Sequence, residues 1–146
     1  MNEFDVLERK NFKAIDFFKS NIAKKYKINN FVKSQTIIDN LSVLADKIQE
    51  VRNLLNCPII ISSAYRCPEL NEMVKGKKYS QHLYGQAIDF CAPEFGTPHE
   101  IVLFLKENKV AVDQCLIEDG WVHLSIRKNM NRNQFAQLSK DKFEVV

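Results

Sequence analysis

The chain has 146 residues, with 21 Lys and Arg against 18 Asp and Glu, and a formal net charge of +3 at pH 7. A chain of this length can bury one hydrophobic core, so we expect a single domain over residues 1–146. The weak positive charge argues against a nucleic-acid partner. No apolar run approaches the roughly 20 residues that a membrane-spanning helix needs, so we expect no membrane insertion.

The first half of the chain predicts helices. Residues 1–30 contain aromatic residues interspersed with lysines, which favours one or two short helices. We expect this N-terminal arm to pack against the rest of the domain. Residues 36–39 resemble a capping box, and apolar residues then recur at helical spacing. We therefore expect a helix over 36–55 with one stripe facing the core. The stripe comprises Ile37, Leu41, Leu44, Ile48, Val51 and Leu55.

Strands and helices alternate in the middle of the chain. The β-branched run over 58–63 predicts a buried strand, and Pro68 suits the first turn of a helix over 68–75. A second strand is expected over 86–90. Thr97, with proline at the first helical position and Glu100 at the third, predicts the start of a helix that runs to about Asn108. His99 falls in the first turn of that helix, so we expect it to be exposed and exclude it as a metal ligand.

The last third of the chain predicts a hairpin. Two strands, 110–118 and 121–127, flank Asp119-Gly120, which is a strong two-residue turn signal. In that register Leu116 pairs with His123, so Glu118 and His123 project from the same face of the sheet. Residues 129–133 read as a loop, and 134–146 as a short helix and tail. The fold class is α+β, with a small, mainly antiparallel sheet packed against helices.

The cysteines and the N-terminal residues indicate the cellular compartment in which the chain folds. Cys57, Cys67, Cys91 and Cys115 form no C-x-x-C pair, so we expect four free thiols in a reducing cytoplasm. The first residues lack a basic region followed by an apolar run, so no signal peptide is expected.

Two of the three histidines, together with Asp89, offer a possible set of metal ligands. His82 and Asp89 are seven residues apart with Gly85 between them, and His123 comes from a separate strand. Two imidazoles and a carboxylate form a ligand set of catalytic zinc sites. The alternative is that both histidines are ordinary, partly buried residues and that Asp89 caps a strand end.

The segments around these residues resemble peptidase family M15, in particular its branch of zinc D-Ala-D-Ala carboxypeptidases. Four motifs carry the resemblance, which runs roughly over residues 31–133. They are Ser62–Asn71, the pattern Ser-x-His-x-x-Gly-x-Ala-x-Asp at 80–89, Asp113–Glu118, and Trp-x-His at 121–123. The resemblance implies the fold of the hedgehog and D-Ala-D-Ala-peptidase group. It also implies a catalytic core over 31–133, between the N-terminal arm and a C-terminal tail over 134–146.

The resemblance also implies roles for individual residues. One zinc ion would bind His82, Asp89 and His123, while Arg66, Ser80 and Gln81 would bind substrate. Many relatives carry an acidic base three residues before the last zinc histidine, but this chain has Gly120 there. We therefore assign the base to Glu118, with Asp119 as the alternative. The alternative for Glu118 is a solvated acid at the end of the turn, without a catalytic role.

Two features next to these residues stay open. Lys75, Lys77 and Lys78 either line the rim of the site or form a solvated loop. Trp121 is either a core aromatic or a wall of the pocket, and we favour the core.

The function that the resemblance implies is hydrolysis of peptidoglycan stem peptides, foremost as a D-Ala-D-Ala carboxypeptidase. The alternatives are a murein endopeptidase of the endolysin type and a non-catalytic peptidoglycan-binding or virion module. Such domains occur in bacteriophage and bacterial murein peptidases. We expect a monomer, cytoplasmic as synthesised, that acts on the cell wall after release or delivery.

Overall fold

The structure is a computed structural model that describes residues 3–140 and 142–146. Within those residues, six strands form one sheet and four α-helices pack around it. The helices are α1 Asn21–Lys25, α2 Gln35–Leu55, α3 Pro68–Met73 and α4 Pro98–Glu107. The strands are β1 Ile60–Ser63, β2 Ala87–Cys91, β3 Gln114–Ile117, β4 Val122–Ser125, β5 Gln134–Ser139 and β6 Lys142–Val145. The predicted α+β class is confirmed.

The sheet is mainly antiparallel. Its strand order is β1-β2-β4-β3-β5-β6, and only the β3–β5 pair is parallel among the described strands. Leu116 pairs with His123 in the β3–β4 hairpin, and the Glu118 N–H donates to the Trp121 carbonyl over 3.0 Å. The turn register predicted from Asp119-Gly120 is therefore confirmed. Both hairpin strands are shorter than predicted.

The long helix α2 supplies much of the core. Seven of its side chains are buried, mostly at a spacing of three or four residues, so the predicted stripe is confirmed from Leu41 to Leu55. The seven are Ile38, Leu41, Leu44, Ala45, Ile48, Val51 and Leu55. Ile37 is only partly buried, and Ile38 takes the core position at the start of the helix. Its start differs from the prediction, because the Ser34 hydroxyl caps it by accepting from the Ile37 N–H over 3.4 Å. Serine and threonine are both favoured as helix N-caps, so the sequence around Ser34 and Thr36 does not show which of the two caps α2.

Helix α4 begins as the sequence predicts. The Thr97 hydroxyl accepts from the Glu100 N–H, and the Glu100 carboxylate accepts from the Thr97 N–H, which completes a capping box. His99 is exposed in the first turn. The helix packs Ile101, Val102 and Leu105 onto the hairpin side of the sheet.

The N-terminal arm packs on the body as expected, but it is less helical than predicted. Two one-turn 3-10 helices, Asp5–Leu7 and Ala14–Phe17, precede the short α1. Leu7, Phe12 and Phe17 are buried in the common core. All four cysteines are free, as expected.

The prediction of a C-terminal helix and tail is wrong, because Gln134–Ser139 form β5 and Lys142–Val145 form β6. Strand β3 pairs with β4 on one side, and its other edge would leave backbone N–H and C=O groups without partners. Strand β5 pairs with that edge and β6 extends the sheet. A weak apolar pattern does not reveal an open sheet edge elsewhere in the fold. No helix within the described residues has both the length and the hydropathy to cross a membrane.

Candidate active site

The sheet brings the three candidate metal ligands together. Asp89 on β2 and His123 on β4 are direct register partners, so their side chains leave the same face. His82 lies in a 3-10 turn, Gln81–Tyr84, that immediately precedes β2. The backbone at Gly85 ends that turn with φ +71° and directs the chain into the strand.

Gly85 has no room for a side chain. A Cβ built there would lie 2.9 Å from the Ile37 carbonyl oxygen and 2.9 Å from Leu41 Cγ. We expect Gly85→Ala to destabilise the fold by about 2–4 kcal/mol, from backbone strain together with overpacking. Urea unfolding of both proteins measures the difference. Gly120→Ala is the matched control, since Gly120 also has positive φ, at +96°, but no atom within 4 Å of a Cβ. Equal losses in the two variants would show that steric crowding at Gly85 is not the cause.

The donor atoms of the three side chains converge on one point. His123 Nδ1 lies 2.9 Å from Asp89 Oδ1, and His82 Nε2 lies 3.3 Å from the same oxygen. All three donor atoms lie within 4.8 Å of one another. Nitrogen and oxygen ligands placed at zinc-bond length around a tetrahedral ion stand about 3.3 Å apart. The two separations from Asp89 Oδ1 are close to this value, so the group can take a zinc-sized ion after small shifts of the side chains.

The hydrogen bonding of His82 indicates which nitrogen is free. Its Nδ1 lies 2.6 Å from the Ala64 carbonyl oxygen, which can only accept, so Nδ1 carries the proton. Nε2 of the neutral ring is then an acceptor, and this buried atom has no hydrogen-bond partner within the described residues. It faces the Asp89 carboxylate, another acceptor. A cation between the two atoms would satisfy both, and this is the strongest sign that the group is built for a metal.

Asp89 is held in its ionised form. Burial alone would raise the pKa of Asp89, but its hydrogen bond with His123 is the main influence that offsets burial, and the pKa lies well below its usual range. The ligand set is thus one carboxylate and two imidazoles, a combination suited to zinc.

Glu118 lies beside this group, on the same face of the sheet as its register predicts. Its Oε2 is 3.9 Å from His123 Nδ1 and accepts a hydrogen bond of 3.1 Å from Trp121 Nε1. Burial raises the pKa of Glu118, while the opposing influence of His123 lowers it less. Asp119, by contrast, is exposed at the turn. Between the two acids, Glu118 is therefore the better placed to act on a substrate at the metal group.

Trp121 is half-buried and lines the cleft that contains the metal group. Its predicted place in the core is therefore wrong. The hairpin register directs it to the same face as His123, and the buried neighbour Val122 takes the core position instead. Its indole N–H fixes the carboxylate of Glu118.

The cleft around the metal group has a volume of about 740 Å³, and all the predicted substrate-binding residues line it. Arg66 Nη2 is 3.4 Å from the Ser80 hydroxyl oxygen, and the Arg66 backbone N–H donates to the His82 carbonyl. Burial lowers the pKa of Arg66, and the carboxylates of Asp89 and Glu118 partly restore it. The Arg66 guanidinium is thus a partly desolvated cation close to the metal group.

A family model described as Peptidase M15 matches residues 11–125, from the N-terminal arm through the end of β4. The chain belongs to peptidase family M15. The match includes His82, Asp89 and His123, the whole candidate metal group. It supports a metallopeptidase-type hydrolase, and the geometry of this group suits the zinc of M15 enzymes. No curated protein matches the chain.

Asp113 does not line the M15 cleft itself but binds two residues that do, and the sequence did not reveal this role. Asp113 is completely buried and binds Gln81 Nε2 over 2.9 Å as well as the guanidinium of Arg132. Burial alone would raise the pKa of Asp113, but hydrogen bonds from Arg132 and Gln81 more than offset it and lower the pKa to about 2. Asp113 stands at the start of a recognised motif, and this was the one available signal. The structure shows that it anchors Gln81.

Apart from Arg66, the cationic residues of the cleft come from two segments. Lys75, Lys77 and Lys78 line the cleft, which favours the reading of this loop as a rim. Arg127 and Arg132, from the segment after β4, line it as well. No local motif distinguished these two arginines from ordinary surface residues.

Proposed function

We propose that this M15 protein is a zinc-dependent carboxypeptidase that removes the terminal D-alanine from peptidoglycan stem peptides. The observation that supports a carboxypeptidase best is Arg66. Its guanidinium lies in the cleft, partly desolvated and close enough to Asp89 and Glu118 for their charges to act on it. A free C-terminal carboxylate beside the scissile bond is the natural partner for such a group.

His82 Nε2, Asp89 and His123 Nδ1 would hold the zinc ion. When bound, zinc supplies a Lewis acid that polarises the scissile carbonyl and lowers the pKa of water. The Ala64 carbonyl keeps the His82 proton on Nδ1, so that Nε2 remains available as a ligand.

Glu118 would act as general base and then as general acid. Its carboxylate takes a proton from the attacking water and gives it to the leaving amine. The Trp121 indole N–H orients the carboxylate by binding Oε2 and leaves Oε1 available for the water. The position of Glu118 beside His123 brings this proton transfer next to the metal group.

Arg66 would hold the terminal carboxylate of the substrate, with Ser80 and Gln81 beside it. The Ser80 hydroxyl lies next to the guanidinium, and Asp113 fixes the Gln81 amide. A substrate held in this way places its last peptide bond at the metal group, which is the bond that a carboxypeptidase cuts.

Loss of the arginine fork is expected to weaken substrate binding. We expect Arg66→Gln to lower kcat/KM for a stem pentapeptide by about 10–100-fold, mainly through KM, because a charge-assisted bidentate contact is lost. Arg66→Lys should recover part of the loss. The measurement is steady-state hydrolysis of the pentapeptide and of its C-terminal amide. The amide should be a poor substrate for the parent protein, and Arg66→Gln should discriminate little between the two peptides.

An endopeptidase is the second candidate, because the cleft continues beyond the metal group. A neighbouring cavity of about 650 Å³ shares Glu118, Trp121 and Leu138 with the main cleft. Such a groove could hold substrate residues on both sides of the cut bond. An endopeptidase would cleave the C-terminal amide as fast as the free acid, so the same peptide pair separates the two candidates.

A further inference from the structure

The substrate cleft carries an excess of positive charge. Among the described residues that line it, the acidic side chains are Asp89 and Glu118, both already placed at the metal group. The cationic ones are Arg66, Lys75, Lys77, Lys78, Arg127 and Arg132. One terminal carboxylate at Arg66 needs only one of these cations. Clefts lined by one sign of charge attract ligands of the opposite sign, so the surplus favours a substrate with a second anionic group.

Two of the surplus cations share one buried carboxylate. Asp113 Oδ2 lies 2.7 Å from Arg132 Nη2 and 3.1 Å from Arg127 Nε, while Asp113 Oδ1 lies 2.9 Å from Arg132 Nε. One carboxylate balances one guanidinium, so this cluster retains one unit of positive charge. The buried anchor also restricts the orientations of both side chains.

Arg127 is the member of this cluster with free binding capacity. Its Nε faces Asp113, but its two terminal nitrogens have no hydrogen-bond partner within the described residues. The side chain is 42% exposed, and the Arg127 backbone N–H donates to Asn131 Oδ1 over 2.8 Å. A guanidinium fixed at one end and open at the other can bind a carboxylate.

Arg127 lies away from the bond that is cut. It is four residues beyond His123 and two residues past the end of β4. Four extended residues span about 13 Å, and alternate residues along a strand share a face. The Arg127 backbone is therefore well separated from that of the metal ligand His123, and its guanidinium is held at Asp113 rather than at the metal group, where it can meet another residue of a bound peptide.

We propose that Arg127, anchored by Asp113 and supported by Arg132, is a second carboxylate subsite. It selects peptides that carry an acidic group on a residue separate from the one held by Arg66. This inference deepens the proposed function and rests on it for the identity of the substrate, but it can be tested by binding as well as by turnover.

The test uses two synthetic stem pentapeptides that end in D-Ala-D-Ala. They are identical except that the carboxylate of the second residue is free in one and amidated in the other. For the zinc-loaded parent, kcat/KM and the dissociation constant by calorimetry should favour the acidic peptide by about tenfold. Arg127→Gln should bring that ratio close to one, and Arg127→Lys should restore part of it. Lys128→Gln removes the same charge from an exposed residue outside the cleft and should keep the parent ratio.

The outcomes separate this inference from the proposed function. A ratio near one in the parent would overturn the subsite. So would an Arg127→Gln variant that loses activity equally on both peptides, since that is the signature of a merely structural residue. Tenfold preference in binding without hydrolysis would support the subsite and overturn the proposed activity. A protein that neither binds nor cuts either peptide would overturn both.

Discussion

Replacing Glu118 with glutamine is expected to lower kcat on a stem pentapeptide by about 10²–10⁴-fold, while the zinc content stays at that of the parent. Glutamine keeps the size of the side chain and a carbonyl oxygen for the Trp121 indole N–H, but it cannot take a proton from water. Stopped assays of D-alanine release, together with elemental analysis of the same samples, measure both quantities.

Asp119→Asn is the matched control for the base. Asp119 is the next residue in the turn and is exposed, so its loss should change kcat by less than about threefold. If Asp119→Asn stops turnover and Glu118→Gln does not, the roles of the two acids are reversed. If both variants hydrolyse the peptide as fast as the parent does, the base lies elsewhere. A parent that binds zinc and stem peptides but cuts none would instead favour the non-catalytic wall-binding module.

Replacing His82 with alanine is expected to remove stoichiometric zinc and to abolish hydrolysis. His82 is 1% exposed, and its Nε2 has no other hydrogen-bond partner within the described residues. Losing one of three protein ligands should weaken zinc binding by orders of magnitude, since each ligand contributes several kcal/mol. Zinc per protein chain after dialysis, measured by elemental analysis, is the readout.

The control addresses the burial of His82, because alanine there also leaves a cavity. His123→Ala removes a ligand whose side chain is 15% exposed, so the fold is less affected, and it should also lose zinc. His99→Ala, on the exposed start of α4, should bind zinc like the parent. Full zinc retention in both the His82 and His123 variants, with folded protein by circular dichroism, would remove the ligand assignment.

The sequence predicted the hairpin correctly, because its geometry is local. Asp119-Gly120 determines a two-residue turn, the turn determines the register, and the register places Glu118 on the face of His123. Local rules alone could not predict that His82 lies close to Asp89 and His123. The M15 motif predicted it, and the structure shows its basis, which is the positive-φ turn at Gly85.

Other parts of the cleft depended on contacts between distant segments. The strand conformation of Gln134–Ser139 follows from the open edge of β3, which no pattern within those residues reveals. Asp113 is a carboxylate at 0% exposure, a state that sequence rules assign to almost no aspartate. It is stable there because Arg132, 19 residues later, brings the compensating charge. Long-range pairing of this kind also placed Arg127 in the cleft.

Mass spectrometry of a stem pentapeptide tests the metal centre and the reaction together. The peptide is incubated with the zinc-loaded protein, with a chelator present, and with the chelated protein after zinc is restored. We predict a product lighter by one alanine residue, its disappearance with chelator and its return with zinc. Zinc-dependent cuts inside the peptide would move the assignment to an endopeptidase. Two results would contradict the assignment of His82, Asp89 and His123 as the metal centre of a stem-peptide hydrolase. One is a product that still forms when the chelator is present. The other is the absence of any product from protein with a full complement of zinc.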